Sequence, residues 1–238
     1  MISVIYSTKE NKDSHIEHIR KTSGIHKGIE VIQYINNGKY SLTEIYNKAL
    51  KETTNNIVVF CHDDIIFETK NWGKKLLKLY EKNTEYGIIG IAGSREMPVS
   101  GKWWENSNHM YGQVYHQHEG KKWLSKYSNK NNGYIDNVII VDGLFFSVNK
   151  EKIKCEFDEN VKGFHFYEID FCFRNYLKGV KIGVISDIDV THLSIGATNK
   201  EWEENRIIFS EKFKDNLPAK VKKIFSKKNE RKSKQNRT

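Results

Sequence analysis

Hydrophobic and polar positions follow two alternating patterns along the first part of the chain. Short apolar runs rich in β-branched residues predict strands, and stretches with a period near 3.6 predict amphipathic helices. The predicted strands are 2–6, 30–35, 57–60 and 87–92, and the predicted helices are 13–22, a segment that begins after Ser41, and 72–82. This order is typical of parallel strands joined by helical crossovers.

Local signals support these elements. Asn36-Asn37-Gly38 predicts a turn after the second strand, and Ser41 with Glu44 has the spacing of a capping box. The third strand is short and wholly apolar, as expected when helices cover both faces of a sheet.

The pattern changes in the second part of the chain. Residues 93–137 are rich in Gly, Ser, Asn, His and Trp, which predicts a long functional loop. Regular structure is predicted again at 137–148, centred on Asp142-Gly143. A helix over 167–177 that Gly179 ends, a strand at 181–185 and a helical segment beyond Trp202 follow.

Charge is concentrated at the carboxyl end. The net charge is +9, but residues 219–238 contain nine Lys or Arg and one Glu, so the remaining chain is nearly neutral. A duplex-binding protein normally spreads basic residues over one folded face, so no nucleic-acid partner is predicted. We expect one domain over residues 1–216 and a basic tail over 217–238.

The tail leaves two alternatives open. Leu217, Val221, Ile224 and Phe225 recur at helical spacing among lysines, which predicts an amphipathic segment that lies on an anionic membrane. The alternative is a disordered, solvated tail. Cys61, Cys155 and Cys172 are widely spaced, and no secretory signal is recognisable, so we expect a cytoplasmic protein that is peripheral on the inner face of the membrane.

Three segments carry candidate chemistry. His62-Asp63-Asp64 directly follows the third predicted strand, at the edge of a parallel sheet where ligands bind. Two adjacent carboxylates there can hold a divalent ion against substrate phosphates, or they form a solvated turn in which one Asp caps a helix.

The other two segments lie later in the chain. Glu168 and Asp170 fall near a helix start, where a carboxylate can act as a general base, or where Asp170 simply pairs with Arg174. His192 follows a short strand, and a lone histidine is more often structural than a ligand.

Taken in order, these segments resemble the GT-A glycosyltransferases, in particular family-2-like bacterial enzymes. The resemblance covers about residues 1–197 and lies in ISVIYST, SLTEIYNKAL before NNIVVF, CHDDI, VDGLFFSV, YEIDFCFRNYLKGVKIG and VTHLSIG. It implies an α/β three-layer sandwich with a mostly parallel central sheet. It also implies hexosyl transfer from a nucleoside-diphosphate sugar, UDP- or GDP-linked, to a glycan or lipid-linked acceptor.

The resemblance also implies roles for individual residues. His62 stands where the first Asp of the Asp-x-Asp motif usually falls. A divalent cation, Mn²⁺ or Mg²⁺, is expected on Asp64, Asp63 and His192, and an inverting displacement is expected with Glu168 as base and Asp170 beside it. The residues implied for the nucleotide sugar are Ser7, Thr8, Asn36, Asn47, His62 and Asp63. Those implied for the acceptor are Asp142 and Gly143, the glycine because a sugar approaches the backbone closely. Apart from the resemblance, Trp103, Trp104 and Trp123 are candidates for stacking on an acceptor sugar, and the alternative is that these aromatic side chains belong to the core.

One alternative function stays open at this point. The same fold can serve as a non-catalytic module that binds nucleotide sugars or carbohydrates, because a fold does not determine a function. Nucleotide titration with and without Mn²⁺, followed by a donor-hydrolysis assay, separates the two.

Overall fold

The computed structural model of this chain describes residues 1–128, 133–196 and 198–221. The helices are α1 (Asp13–Ser23), α2 (Leu42–Glu52), α3 (Trp72–Lys82), α4 (Tyr167–Leu177) and α5 (Lys200–Lys212). The strands are β1 (Ile2–Thr8), β2 (Ile29–Ile35), β3 (Ile57–Cys61), β4 (Ile65–Phe67), β5 (Tyr86–Gly90), β6 (Ala92–Ser94), β7 (Glu96–Met97), β8 (Met110–His118), β9 (Lys121–Lys126), β10 (Asp136–Val138), β11 (Ile140–Val141), β12 (Phe145–Asn149), β13 (Lys181–Val184), β14 (Val190–His192) and β15 (Ala219–Lys220).

The central sheet has the strand order β10-β13-β5-β12-β3-β1-β2. The pairs β1 with β2, β1 with β3, and β5 with β13 are parallel, whereas β12 and β10 are antiparallel to their neighbours. Five of the seven strands in this sheet therefore run in the same direction, and only β10 and β12 run in the other. This mostly parallel sheet confirms the α/β class predicted from the sequence.

Helices cover both faces of this sheet. Along β3, Ile57, Val59 and Cys61 point into a core shared with α1 and α3, whereas Val58 and Phe60 point into a core shared with α2, α4 and α5. Because successive side chains of a strand point to opposite faces, a wholly apolar strand is what two covered faces require. The three-layer arrangement follows from this alternation.

The capping box and the turn predicted from the sequence are both present. The Ser41 backbone N–H donates to Glu44 Oε2 at 2.8 Å, which completes the capping box of α2. The Tyr40 N–H donates to Asn36 Oδ1 at 2.9 Å and closes the turn after β2.

The prediction of a long loop over residues 93–137 is wrong. This part of the chain contributes to a second sheet of order β11-β6-β8-β14-β4, with β9 paired to β8. The β8–β9 hairpin closes through Glu119 and Gly120 at φ 48° and 76°, as in the type I′ turns that suit a hairpin twist. Most of these strands are short and take their partners from distant sequence, so periodicity does not reveal them.

The tail begins as part of the domain. Ala219–Lys220 pairs antiparallel with β7, Val221 N–H donates to Arg95 O at 2.9 Å, and Leu217 is buried. The expected boundary at 216 and the helical pattern from Leu217 are therefore corrected for residues 217–221, because strand pairing and apolar burial hold them on the body. Ile224 and Phe225 lie outside the described residues. Within the described ranges, no helix is long and apolar enough to cross a membrane.

Candidate active site

A cleft of about 900 Å³ opens beyond the carboxyl ends of β1, β2 and β3. Most of the residues predicted for the site line it: Ser7, Thr8, Asn36, His62, Asp63, Asp64, Trp103, Trp104, Asp142, Glu168 and His192. Three parallel strands that end at one edge of the sheet explain the position of the first six.

His192 reaches the cleft through strand pairing. Strand β14 runs antiparallel to β4, His192 is opposite Ile65, and Leu193 N–H donates to Asp64 O at 2.9 Å. The late histidine is thereby held next to the segment that follows β3, although the two are far apart in sequence.

His62, Asp64 and His192 form a candidate metal-binding triad, with one ligand atom from each within 4.8 Å of the others. His62 Nδ1 and Asp64 Oδ1 each lie 3.3 Å from His192 Nε2 and 4.0 Å from each other. Two atoms that bind one ion at about 2.0–2.2 Å are about 3–3.5 Å apart, so two of the three separations fit a shared ion and the third is slightly longer. The Ser194 hydroxyl, which the sequence did not indicate, is 3.1 Å from the same His192 nitrogen.

The structure corrects the predicted ligand set. Asp63 Oδ2 lies 2.7 Å from Lys12 Nζ, in an ion pair that the sequence gave no reason to expect. Asp63 and Asp64 form a turn between β3 and β4, and the candidate triad takes its ligand atoms from His62, Asp64 and His192. His62 therefore replaces Asp63 in the triad.

The charged forms of Asp64 and His192 stabilise each other. Burial opposes the charged form of His192, but the hydrogen bond and the charge of Asp64 offset it and raise the pKa of this imidazole. Burial also opposes the charged form of Asp64, and the contact with His192 nevertheless holds its pKa well below the usual range. A cation that bound here would take the place of a proton on the His192 imidazole.

Glu168 lies at the start of α4, on the wall of the cleft that also carries Asp142. Burial and the nearby Asp142 carboxylate raise the pKa of Glu168 to about 8. Its Oε2 atom is buried and accepts no hydrogen bond from the residues that the structure describes. A carboxyl group with a raised pKa and a free oxygen can act as a general base once it has released its own proton.

Gly143 packs against Tyr167 and Glu168. A Cβ at this position would overlap Tyr167 Oη and lie 3.0 Å from Glu168 Cδ. The space left by the absent side chain is therefore occupied by these two side chains of the protein itself.

Asn47 and Asp170 do not reach the cleft. The Asn47 side-chain amide is buried against the chain at Phe157, where it accepts from the N–H at 2.8 Å and donates to the carbonyl at 3.0 Å. Asp170 is 2% exposed and lies 2.5 Å from both Arg174 Nε and Lys212 Nζ. The simple pairing of Asp170 with Arg174, one of the two alternatives, is therefore what the structure has.

Two of the residues predicted for the nucleotide sugar form hydrogen bonds within the protein. Asn36 donates to Tyr40 O at 2.8 Å as well as accepting from its N–H, so its amide mainly holds the turn. The Thr8 hydroxyl donates to Glu10 O at 2.9 Å. Ser7 remains at the surface of the cleft, beside Lys9 and Lys12.

Aromatic side chains form part of the cleft lining. Trp104 is 38% exposed and packs on Trp103 and Trp202, with ring centroids 5.7 and 5.5 Å apart. Trp103 is almost wholly buried, so Trp104 and the exposed Phe164, which was not predicted, present the accessible faces. Trp123 stacks on His116 at 5.4 Å instead, on the β8–β9 hairpin.

The sequence matches a model of the glycosyltransferase-like family over residues 2–227. The chain belongs to this family. No curated protein sequence matches this family member. Two solved structures share its fold: GalNAc-T7 with UDP, GalNAc and Mn²⁺, at TM-score 0.53 and 9% identity over 88% of this chain, and the mannosyltransferase PcManGT of Pyrobaculum calidifontis with GDP-Man and Mn²⁺, at TM-score 0.52 and 10% identity over 92%.

This glycosyltransferase-family chain spans 47% of the first structure and 65% of the second. The similarity confirms the predicted GT-A fold. The low identity means that the site chemistry has to be argued from this chain's own residues.

Proposed function

We propose that the protein transfers a hexosyl group from a nucleoside-diphosphate sugar to an acceptor hydroxyl, with inversion at the anomeric carbon. The observation that carries this proposal is the placement of the His62–Asp64–His192 triad and the Glu168 carboxylate in one cleft at the carboxyl edge of the sheet. The two structures of similar fold, which contain UDP or GDP-Man together with Mn²⁺, support the choice of donor class.

Glu168 is the proposed base. It removes the proton of the acceptor hydroxyl as that oxygen attacks the anomeric carbon, and the nucleoside diphosphate leaves with the bonding electrons. No covalent intermediate on the protein is needed. Asp142, which raises the pKa of Glu168, increases its affinity for that proton.

The triad is the proposed cation site. A divalent cation bound there would neutralise the charge of the departing diphosphate. Two imidazole nitrogens and one carboxylate oxygen suit Mn²⁺ better than Mg²⁺, which prefers oxygen ligands. Lys12, 2.7 Å from Asp63, lines the same cleft and adds a positive charge there.

The acceptor is proposed to lie against Trp104 and Phe164. Both rings are exposed and line the cleft, and an aromatic face can pack on the apolar face of a sugar ring or on a lipid-linked carrier. A glycan or lipid-linked acceptor therefore fits this wall.

Calorimetry followed by a donor assay tests the proposal. UDP and GDP are titrated with and without Mn²⁺, and UDP- and GDP-sugars are then screened for release of the nucleoside diphosphate. Tighter nucleotide binding with Mn²⁺ and turnover of at least one donor are expected. Nucleotide binding without turnover of any donor would instead favour a non-catalytic binding module.

A further inference from the structure

We infer that Tyr167 is a positioning residue that fixes the tautomer of His62. In this tautomer the lone pair on His62 Nδ1 points towards the other two members of the triad, Asp64 and His192. Two contacts define this role. The Tyr167 hydroxyl donates to the Gly143 carbonyl at 3.0 Å, and His62 Nε2 lies 3.3 Å from the same hydroxyl oxygen. The inference rests on the proposed function only in assuming that the triad holds a cation.

The hydrogen-bond directions follow from the groups involved. A carbonyl oxygen can only accept, so the single Tyr167 proton is directed to Gly143 O, the nearer of the two partners. The hydroxyl oxygen then faces His62 as an acceptor, and His62 Nε2 must carry the proton. In a neutral imidazole this leaves Nδ1 unprotonated.

His62 Nδ1 is the atom that faces Asp64 and His192. It lies 3.3 Å from His192 Nε2 and 4.0 Å from Asp64 Oδ1. A metal-binding histidine needs a lone pair on the ligating nitrogen and usually donates its other N–H to an oxygen. Tyr167 supplies that oxygen, 3.3 Å from His62 Nε2.

The tyrosine is itself rigidly held. Its side chain is buried, its ring packs edge-on against Tyr46 at 5.5 Å between centroids, and its hydroxyl occupies the space that a side chain at position 143 would fill. Gly143, Tyr167 and His62 thus form a chain of contacts from the turn before β12 to the triad. Because Tyr167 directly precedes Glu168, the same helix start holds the proposed base and this positioning group.

The test compares Tyr167→Phe with Tyr80→Phe as a matched control. Tyr80 is also buried and donates to Ser147 O at 3.1 Å, but it lies on α3 away from the cleft. Mn²⁺ binding is measured by electron paramagnetic resonance on the full chain without nucleotide. The dissociation constant is expected to rise about 10- to 100-fold in Tyr167→Phe, which is the range typical when a metal-binding side chain loses its hydrogen-bond partner. It is expected to change less than about threefold in Tyr80→Phe.

Nitrogen-15 NMR of histidine-labelled wild-type protein reads the tautomer directly. His62 protonated at Nε2 supports the inference, and His62 protonated at Nδ1 overturns it even if Tyr167→Phe does not fold. Wild-type Mn²⁺ affinity in a folded Tyr167→Phe variant also overturns it, as does failure of the wild type to bind Mn²⁺. Since neither readout needs sugar transfer, an absence of donor turnover would contradict the proposed function without affecting this result.

Discussion

At the scale of single residues, the raised pKa of Glu168 has a measurable effect on how the stability of the fold depends on pH. Its pKa is raised from an ordinary value of 4.5 to about 8, so between these values the unfolded chain has released a proton that the folded chain still holds. The folded state therefore loses stability relative to the unfolded state as pH rises through this window.

Glu168→Gln removes this loss and is expected to stabilise the protein at high pH. The free energy of unfolding of the variant, relative to wild type, is predicted to grow between pH 5 and pH 9. At pH 9 the free energy of unfolding of the variant should exceed that of the wild type by at least about 1 kcal/mol more than it does at pH 5, since one pKa unit corresponds to about 1.4 kcal/mol. Urea denaturation across this range measures it. A difference that does not change with pH would contradict the raised pKa.

Asp63 and Asp64 are adjacent but predicted to differ in their effect on the metal. Asp64→Asn removes the only carboxylate of the triad, so the Mn²⁺ dissociation constant should rise at least about tenfold. Asp63→Asn, its matched control, breaks the pair with Lys12 and should change that constant less than about threefold. Equal effects of the two variants, measured by calorimetry with Mn²⁺, would restore Asp63 as a ligand.

Sequence reasoning found the positions of the chemistry better than the directions of the side chains. Acids and histidines that follow strands were brought to one cleft as predicted. Which of His62 and Asp63 joins the triad depends on the turn at Asp63 and Asp64 and on the contact of Asp63 with Lys12, and the surroundings of Gly143 depend on Tyr167 packing against it. Both are tertiary facts. The engagement of Asn47 with Phe157 is another, because its partner is distant in sequence.

At the scale of elements, α4 is fixed to α5 by a buried charge cluster. Asp170 contacts Arg174 within α4 and Lys212 from α5, and Lys212 also lies 2.6 Å from Asp158. The cluster lies on the side of α4 away from the cleft, so its contribution is to stability.

Asp170→Asn is expected to lower the free energy of unfolding by about 2–4 kcal/mol, because two cations lose a buried partner. Denaturant melting measures this, with Glu204→Gln, which breaks an exposed pair with Lys200, as a control that should cost less than about 1 kcal/mol. Loss of donor turnover at full stability would instead return Asp170 to the catalytic group.

The same scale shows which elements a sequence can reveal. The helices α1 to α4 and the strands β1 to β3 were predicted within one or two residues, because caps and periodicity are local. The second sheet was missed, since strands as short as β6 and β11 offer too few residues for a period. Strand β8 carries polar residues such as Gln113, which is buried, and His116, which lines the cleft, so its sequence lacks a simple alternation of apolar and polar positions.

At the scale of the whole molecule, most of the excess basic charge lies in residues 222–238, after the described part of the chain. Residues 222–238 contain eight Lys or Arg and one Glu, whereas 217–221 pair with the domain through β15. A truncation that tests membrane binding should therefore end at residue 221, so that the domain keeps its strand.

The full chain is predicted to co-sediment with vesicles that contain anionic lipid, and the 1–221 truncation is predicted to stay in solution. Each basic residue near such a surface contributes about 1 kcal/mol, so binding should weaken as salt is raised. Vesicles of neutral lipid are the control. Equal sedimentation of the two proteins would exclude the tail as an anchor.

The central claim is that this cleft transfers a sugar with Glu168 as the base. The most direct test is transfer by Glu168→Gln under single-turnover conditions, corrected for donor hydrolysis, with Glu204→Gln as the control. We predict a loss of about 10²- to 10⁴-fold in the transfer rate with donor affinity preserved within a few-fold. Transfer by Glu168→Gln at a rate near that of the wild type would contradict the account.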